Sequence, residues 1–287
     1  MNLSNLEEID ELRQVSFGER ECFLHKEHRW ALPIIFYNQQ EKILPHPCTL
    51  VTFDAHHDTL DPTCSCKEDI LRIKKAEITF DEIVSLCEKK LRKSNDDWIK
   101  VGMELGLIDD AVIFWAEEEH NNKNNKNNEK LEEYKDQLGN IHKIKLLRHL
   151  STELESQGDL VDTSRIEVLS ELWDILDWQC KDQFSFAQSK RKILLDLDID
   201  YFIVRWRGYH FPWPNEVFEK DFLSLSEHQS GSLWTGKDFL DGLMNKAALV
   251  TIAKEPNFCG GKVKANQVLG KVNHFLFDDK LNLDKTQ

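Results

Sequence analysis

The stretch TLVTFDAHHDTL, residues 49 to 60, begins as a β-branched apolar run and ends in Asp54, His56, His57 and Asp58. A second run, KILLDLDID at 192 to 200, ends in the same manner with Asp196, Asp198 and Asp200. Residues two apart in extended backbone point the same way, so each run aims a short ladder of acids to one side. Crowded carboxylates repel one another and take up protons unless cations compensate them. Asp with His, and no suitably spaced Cys, suits a hard or borderline divalent ion such as Mn2+ rather than a thiolate zinc site. Asp54, Asp58, Asp198 and Asp200 together would balance two divalent ions, and a bridging hydroxide would leave the cluster slightly anionic and receptive to a cationic substrate. Asp196 sits deeper in its strand and reads as a partner that orients a ligand rather than as a ligand. Either ladder alone could be a helix cap, but two acid ladders ending two apolar strands fit a metal centre better. A third segment, HKEHRWALPII at 25 to 35, sets His25 and His28 before an apolar helical run, where surface histidines opening a helix are an equal alternative.

For the ladders to meet, their strands must be neighbours although Asp58 and Asp198 are 198 − 58 = 140 positions apart. A parallel sheet allows this. Apolar runs at 50–54, 111–116, 141–147, 192–200 and 248–253 have the composition of buried strands. Helical periodicity alternates with them, most clearly at 79–93, where Thr79 and Glu82 form a capping-box pattern. Further helices are expected around 28–40, 97–107, 166–179, 236–247 and 263–275. This alternation predicts an α/β fold, a three-layer α/β/α sandwich with a mostly parallel central sheet. In such sheets ligands bind beyond the carboxyl ends of the strands, where both ladders stand. The Asn-rich segment near 117–137 has little apolar area to bury and reads as a solvated insertion in a single domain spanning 1–287.

With 287 residues, 40% of them hydrophobic, the chain can bury a sizeable core. A formal charge of −14 argues against nucleic acid as a partner. No apolar run is long enough to cross a bilayer, and the acidic, amphipathic start MNLSNLEEIDELRQ is unlike a signal peptide. Seven cysteines in no regular framework point to reduced thiols, including the CSC pair Cys64 and Cys66, and hence to a cytoplasmic protein.

The three segments, in this order, resemble the ureohydrolase superfamily of arginases and agmatinases. That family carries a Gly-Gly-Asp-His-Ser, an Asp-Ala-His-x-Asp and a Ser-x-Asp-x-Asp segment. DAHHD matches the second, DLDID matches the third with Asp196 in the serine's place, and EHRWAL resembles the first with Glu27 for Asp. The resemblance implies an arginase-like fold and two Mn2+ ions: one held by His28 and Asp58, the other by His56 and Asp200, with Asp54 and Asp198 bridging. It also implies that metal-activated water attacks a guanidinium carbon, that Asp58 carries a proton to the departing amine, and that His57 is a wall residue. TIAKEPNFCGG at 251–261 resembles the late loop where the family places a guanidinium-binding Glu, a role that falls on Glu255.

The Gly-Gly pair is missing and DYFIVRWRGYHFPWP replaces the family's usual continuation after the last ligands, which argues against free arginine as substrate; the combination of KEHRWALP, VTFDAHHD and LDLDIDYF is most similar to divergent peptide arginases. Their substrate would be an arginine-containing precursor peptide whose side chains become ornithine. Trp206, Tyr209, Phe211 and Trp213 are candidates to grip it, or else to pack onto the domain itself. Two alternatives stand: another ureohydrolase or deacetylase-like amidohydrolase acting on a small cationic substrate, and a non-catalytic, metal-stabilised module that binds basic peptides. An Asp-x-Asp phosphatase would use DLDID but has no need of DAHHD.

Overall fold

The apolar runs become strands of one sheet, and the order in which they pair decides where the acid ladders end. The computed structural model describes residues 6, 9, 12–17, 20–76, 78–115, 129–148, 192–223, 225–227 and 233–283. The first half contains β1 (Arg13–Phe17), β2 (Arg20–His25), α1 (Ala31–Gln40), β3 (Cys48–Asp54), α2 (Cys64–Lys75), α3 (Phe80–Lys89), α4 (Trp98–Leu105), β4 (Ile108–Trp115), β5 (Glu129–Lys135) and β6 (Ile141–Arg148). The second contains β7 (Ile193–Asp198), β8 (Ile203–Trp206), β9 (Tyr209–Pro212), β10 (Leu225–Glu227), β11 (Leu233–Thr235), α5 (Gly236–Lys246), β12 (Ala247–Ala253) and α6 (Lys262–Phe277).

Eight strands form the central sheet in the order β1-β2-β12-β7-β3-β4-β6-β5. The six inner strands run parallel, and β1 and β5 close the two edges antiparallel. The chain leaves β3 towards β4 on one side and β7 towards β12 on the other, so the β3–β7 boundary is the point where the winding reverses. Crevices at such points are where open α/β sheets bind ligands. The register of β3 on β7 places Phe53 beside Leu197, which brings Asp54 level with Asp198. Ala253 pairs with Asp198 on one side and with His25 on the other, so β2 and β12 end at the same edge.

Alternate residues of the parallel strands feed two cores. Val51, Phe53, Leu195, Leu197, Val250 and Ile252 pack with α5 and α6 through Leu243, Met244, Val268 and Val272. Leu50, Leu194 and Leu249 pack on the opposite side with Leu32, Ile70, Ile83 and Val101 of α1 to α4. Helices therefore cover both faces of a mostly parallel sheet. Among the described residues no helix is long and apolar enough to cross a membrane.

The strands read from sequence are present, shifted at their ends by a few residues. Two differences have physical causes. Glu129–Lys135, within the segment expected to be a polar insertion, is the edge strand β5. Its charges suit an edge, where they oppose pairing with other chains, and the buried Tyr134 anchors it by donating to Glu104 Oε1 at 2.5 Å. Helix α2 was hidden by the CSC pair; Thr63 caps it by accepting from the Cys66 amide, and both thiols are free. The helix expected at 166–179, and residues 117–128 of the Asn-rich segment, lie outside the described residues.

The predicted capping box is formed: Thr79 Oγ1 accepts from the Glu82 amide at 3.3 Å, and Glu82 Oε2 accepts from the Thr79 amide at 3.1 Å. Thr79→Ala should lower unfolding free energy by about 1 kcal/mol, read from the urea midpoint, because the first turn of α3 loses its reciprocal cap.

Candidate metal centre

Strands β3 and β7 bring their even-numbered residues to the face that α1 covers. The result is two polar rows. In the deeper row Thr52, Asp196 and Thr251 stand side by side on β3, β7 and β12. Thr52 Oγ1 donates to Asp196 Oδ2 at 2.8 Å and Thr251 Oγ1 to Asp196 Oδ1 at 2.6 Å. The outer row holds Asp54 and Asp198, continued beyond the strand ends by His56, Asp58 and Asp200.

His28 descends onto these rows from the short helical turn His28–Trp30 that leads into α1. Its neighbours hold the turn in place. Arg29, buried, donates from Nε to Asn95 Oδ1 at 2.6 Å and from Nη1 to the Cys87 carbonyl at 3.2 Å. Glu255 Oε1 accepts from the His28 amide at 2.6 Å and from Asn95 Nδ2 at 2.7 Å. His25 and His28 are both fully buried, so neither is a surface residue opening a helix. Burial pushes the His25 pKa down to about 4, which leaves it neutral, and its Nδ1 meets the Glu27 carbonyl at 2.9 Å.

The His28 ring links the two rows. Its Nε2 lies 2.5 Å from Asp196 Oδ2, and its Nδ1 lies 3.2 Å from Asp54 Oδ2, 3.2 Å from Asp58 Oδ2 and 3.3 Å from Asp198 Oδ2. An Nε2–H given to Asp196 leaves a lone pair on Nδ1 facing three carboxylate oxygens. Only a cation resolves that convergence, either a proton or a metal ion. His28 Nδ1 and Asp54 Oδ2 are buried without a hydrogen-bond partner, as donor atoms waiting on a metal would be. Donor atoms sharing one ion at about 2.0–2.2 Å stand roughly 3.0–3.5 Å apart, which matches the spacing here. His28, Asp54 and Asp198 form one group able to hold a metal ion; Asp54, His56 and Asp200 form a second. In the second, His56 Nδ1 lies 3.3 Å from Asp200 Oδ2 and 3.6 Å from Asp54 Oδ1.

The electrostatics are those of a cluster short of positive charge. Burial opposes a charge on His28, but Asp196, Asp198 and Asp54 outweigh it and raise its pKa well above the usual value. Burial also opposes His56, which its bonds to Asp200 and Asp54 push up to about 12. Asp54 is held below the carboxylate range by the two histidines in spite of burial. Burial and the Asp54 charge raise Asp58; burial and the Asp200 charge raise Asp198. Asp58 also accepts from Trp98 Nε1 at 2.9 Å and has a left-handed backbone with φ +50°, a conformation that costs a non-glycine residue energy.

Of the residues singled out by sequence, His28, Asp54, His56, Asp58, Asp198 and Asp200 converge, and Asp196 touches His28 from the deeper row. Glu255 is buried beside His28, with Oε1 engaged by protein donors and its pKa pushed up to about 7 by burial. His57 belongs to neither donor group. Tyr209 and Phe211 are 63% and 48% exposed on the β8–β9 hairpin, whereas Trp213 is buried against Phe202 and Phe218 in the core and cannot grip a ligand. The Trp206 side chain lies outside the described residues. Sequence reading missed Asn95, Trp98, Arg205 and the two threonines; a Thr inside each of two apolar strands, LVTF and LVTI, was the available signal. Compared with known proteins, the chain matches no family model and no curated protein.

Removing the Asp196 charge should loosen His28 while leaving the donor sets intact. Asp196→Asn is expected to weaken Mn2+ binding about 10- to 100-fold, measured by equilibrium dialysis with elemental analysis. Since Asp58 and Asp198 hold protons at higher pH than free carboxylates, an entering ion must displace protons. Mn2+ affinity should therefore rise with pH, and calorimetry in buffers of different ionisation enthalpy should register proton release.

Proposed function

We propose that this chain is a metal-dependent hydrolase of arginase-like fold that converts arginine side chains of a peptide to ornithine, releasing urea. The observation that carries the reading is the His28 ring, pinned by Asp196 on one side and facing three carboxylate oxygens at 3.2–3.3 Å on the other. Beside it lies a second donor group that shares Asp54. This pairing is what the resemblance to ureohydrolases implies: His28 and Asp58 for one ion, His56 and Asp200 for the other, Asp54 and Asp198 between them.

Two divalent ions, Mn2+ by the donor types, would supply a lowered water pKa and electrostatic stabilisation of charge developing on the substrate. The chain's own residues account for the rest. Asp196, steadied by Thr52 and Thr251, fixes the tautomer and tilt of His28. A guanidinium stays protonated and is drawn to a cluster of carboxylates. Glu255 braces the His28 amide through Oε1, which leaves Oε2 as the oxygen for a substrate N–H. The water gives a proton to Asp58 as its oxygen bonds to the guanidinium carbon, the bond from that carbon to the side-chain nitrogen breaks, and Asp58 passes that same proton to the departing nitrogen. Urea and an amine are the products. The exposed Tyr209 and Phe211, 6.3 Å apart on a hairpin directly after Asp200, offer an aromatic rim for an extended peptide.

The reading is tested by incubating the Mn2+-loaded protein with an arginine-containing peptide and following the mass loss that accompanies conversion to ornithine. Peptidyl arginine should be converted far faster than free arginine; similar rates on both would remove the peptide from the proposal. Asp54→Ala and Asp198→Ala should each abolish conversion while the far-ultraviolet circular dichroism stays that of the parent, and turnover surviving in either would end the assignment of that residue.

A further inference from the structure

The two donor groups are not equivalent, because one already faces a cation that belongs to the chain. Arg205, on β8, donates from Nη2 to Asp200 Oδ2 at 3.1 Å, and its Nη1 lies 2.9 Å from His56 Nε2. Its guanidinium carbon sits 5.8 Å from the centre of the Phe258 ring, which also packs edge-on against His56 at 5.2 Å. The geometry points to Arg205 as the residue that decides whether the outer group, Asp54, His56 and Asp200, accepts a metal ion. The guanidinium is a tethered occupant that the ion must displace. This inference rests on the reading that the acid cluster is a two-ion centre.

Two acceptor atoms face the Arg205 guanidinium. Asp200 Oδ2, which accepts from Arg205, is also the oxygen nearest His56 Nδ1, at 3.3 Å. Arginine is charged at every relevant pH and can only donate, so a guanidinium on Oδ2 competes with any second cation there. Arg205 Nη1 stands 2.9 Å from His56 Nε2, and ligation through Nδ1 requires the proton on that nitrogen, where the Nε2–H would meet Arg205 donor to donor. Clamp and ion therefore oppose each other at both His56 and Asp200.

Among the described residues nothing similar opposes the inner group. His28 is fully buried, its Nε2 is taken by Asp196, and the ring packs on Trp98 with centroids 4.6 Å apart. Arg205 differs also in its freedom: its side chain is 34% exposed and stands on a two-stranded hairpin outside the central sheet, so it can swing into solvent without disturbing the core. Phe258 gives the guanidinium a resting surface through a cation–π contact. The inner group should fill first, and the outer group only when Arg205 is released.

Equilibrium dialysis of the full chain against Mn2+, with elemental analysis, tests this. The wild type should show a tight and a weak class of site. Arg205→Ala should tighten the weak class about 10- to 100-fold, as loss of a competing charge-assisted hydrogen bond implies, and leave the tight class unchanged. Asp200→Asn should eliminate the weak class in either background, identifying it with the outer group. Arg205→Gln, of similar length but uncharged, should shift affinity in the same direction and serves if the alanine variant folds poorly. A weak class that is unchanged or weaker in both Arg205 variants overturns the inference while leaving the two-ion reading intact. One bound ion in the wild type and two in the variants would support it. A single ion or none in every protein would instead overturn the two-ion reading, and the inference with it.

Discussion

The polar end of this sheet depends on one contact, the bond between His28 Nε2 and Asp196 Oδ2. It sets which ring nitrogen carries a proton, and therefore which nitrogen presents a lone pair to Asp54, Asp58 and Asp198. A histidine free to rotate would turn an N–H towards those carboxylates and satisfy them as an ordinary buried donor. Asp196 avoids a similar fate because Thr52 and Thr251 each give it a hydroxyl proton, so the buried carboxylate has three donors and stays ionised despite desolvation, its pKa held below the carboxylate range.

This arrangement is costly in isolation, and the fold bears the cost by enclosing it with rigid neighbours. Buried carboxylates that face one another destabilise a protein unless cations or protons offset them. Here the strands beneath are locked in register by apolar packing on both faces, while Arg29, Asn95 and Glu255 lock the His28 turn from above. Asp58 and Glu255 both have positive φ, at +50° and +34°. Backbone strain at two residues of one cluster is tolerated only where the surroundings over-determine it, and it gathers where a protein pre-arranges charged groups. The outer group is less constrained: His56 is partly exposed and shares Asp200 with Arg205. That asymmetry separates a deep, preformed half from a half open to the rim.

Much of the fold was legible because the strands carry an unambiguous pattern. LVTFD and ILLDLD are buried on both faces, as strands of a parallel sheet must be, and the helices between them show clear 3.6-residue spacing. The acids ending those strands were legible too, since extended backbone places alternate residues on one side. What escaped was structure with weak local signals. Edge strands β1 and β5 are mostly polar, so their pairing follows from neighbouring strands rather than from their own composition. Trp213 belongs to an aromatic loop that looks alike whether it faces a ligand or the core; its contacts with the buried Phe202 and Phe218 decided it.

Residue types and spacing alone therefore determined that two acid ladders terminate core strands, that a histidine precedes the first helix, and that such donors suit a hard divalent ion. Only the tertiary structure decided which atoms share a centre. His28 lies 168 positions from Asp196 and Arg205 lies 149 from His56. Whether such pairs meet depends on the order and register of the parallel strands and on the hairpin after them. Those are settled by the packing of two apolar cores and by no local preference in the chain.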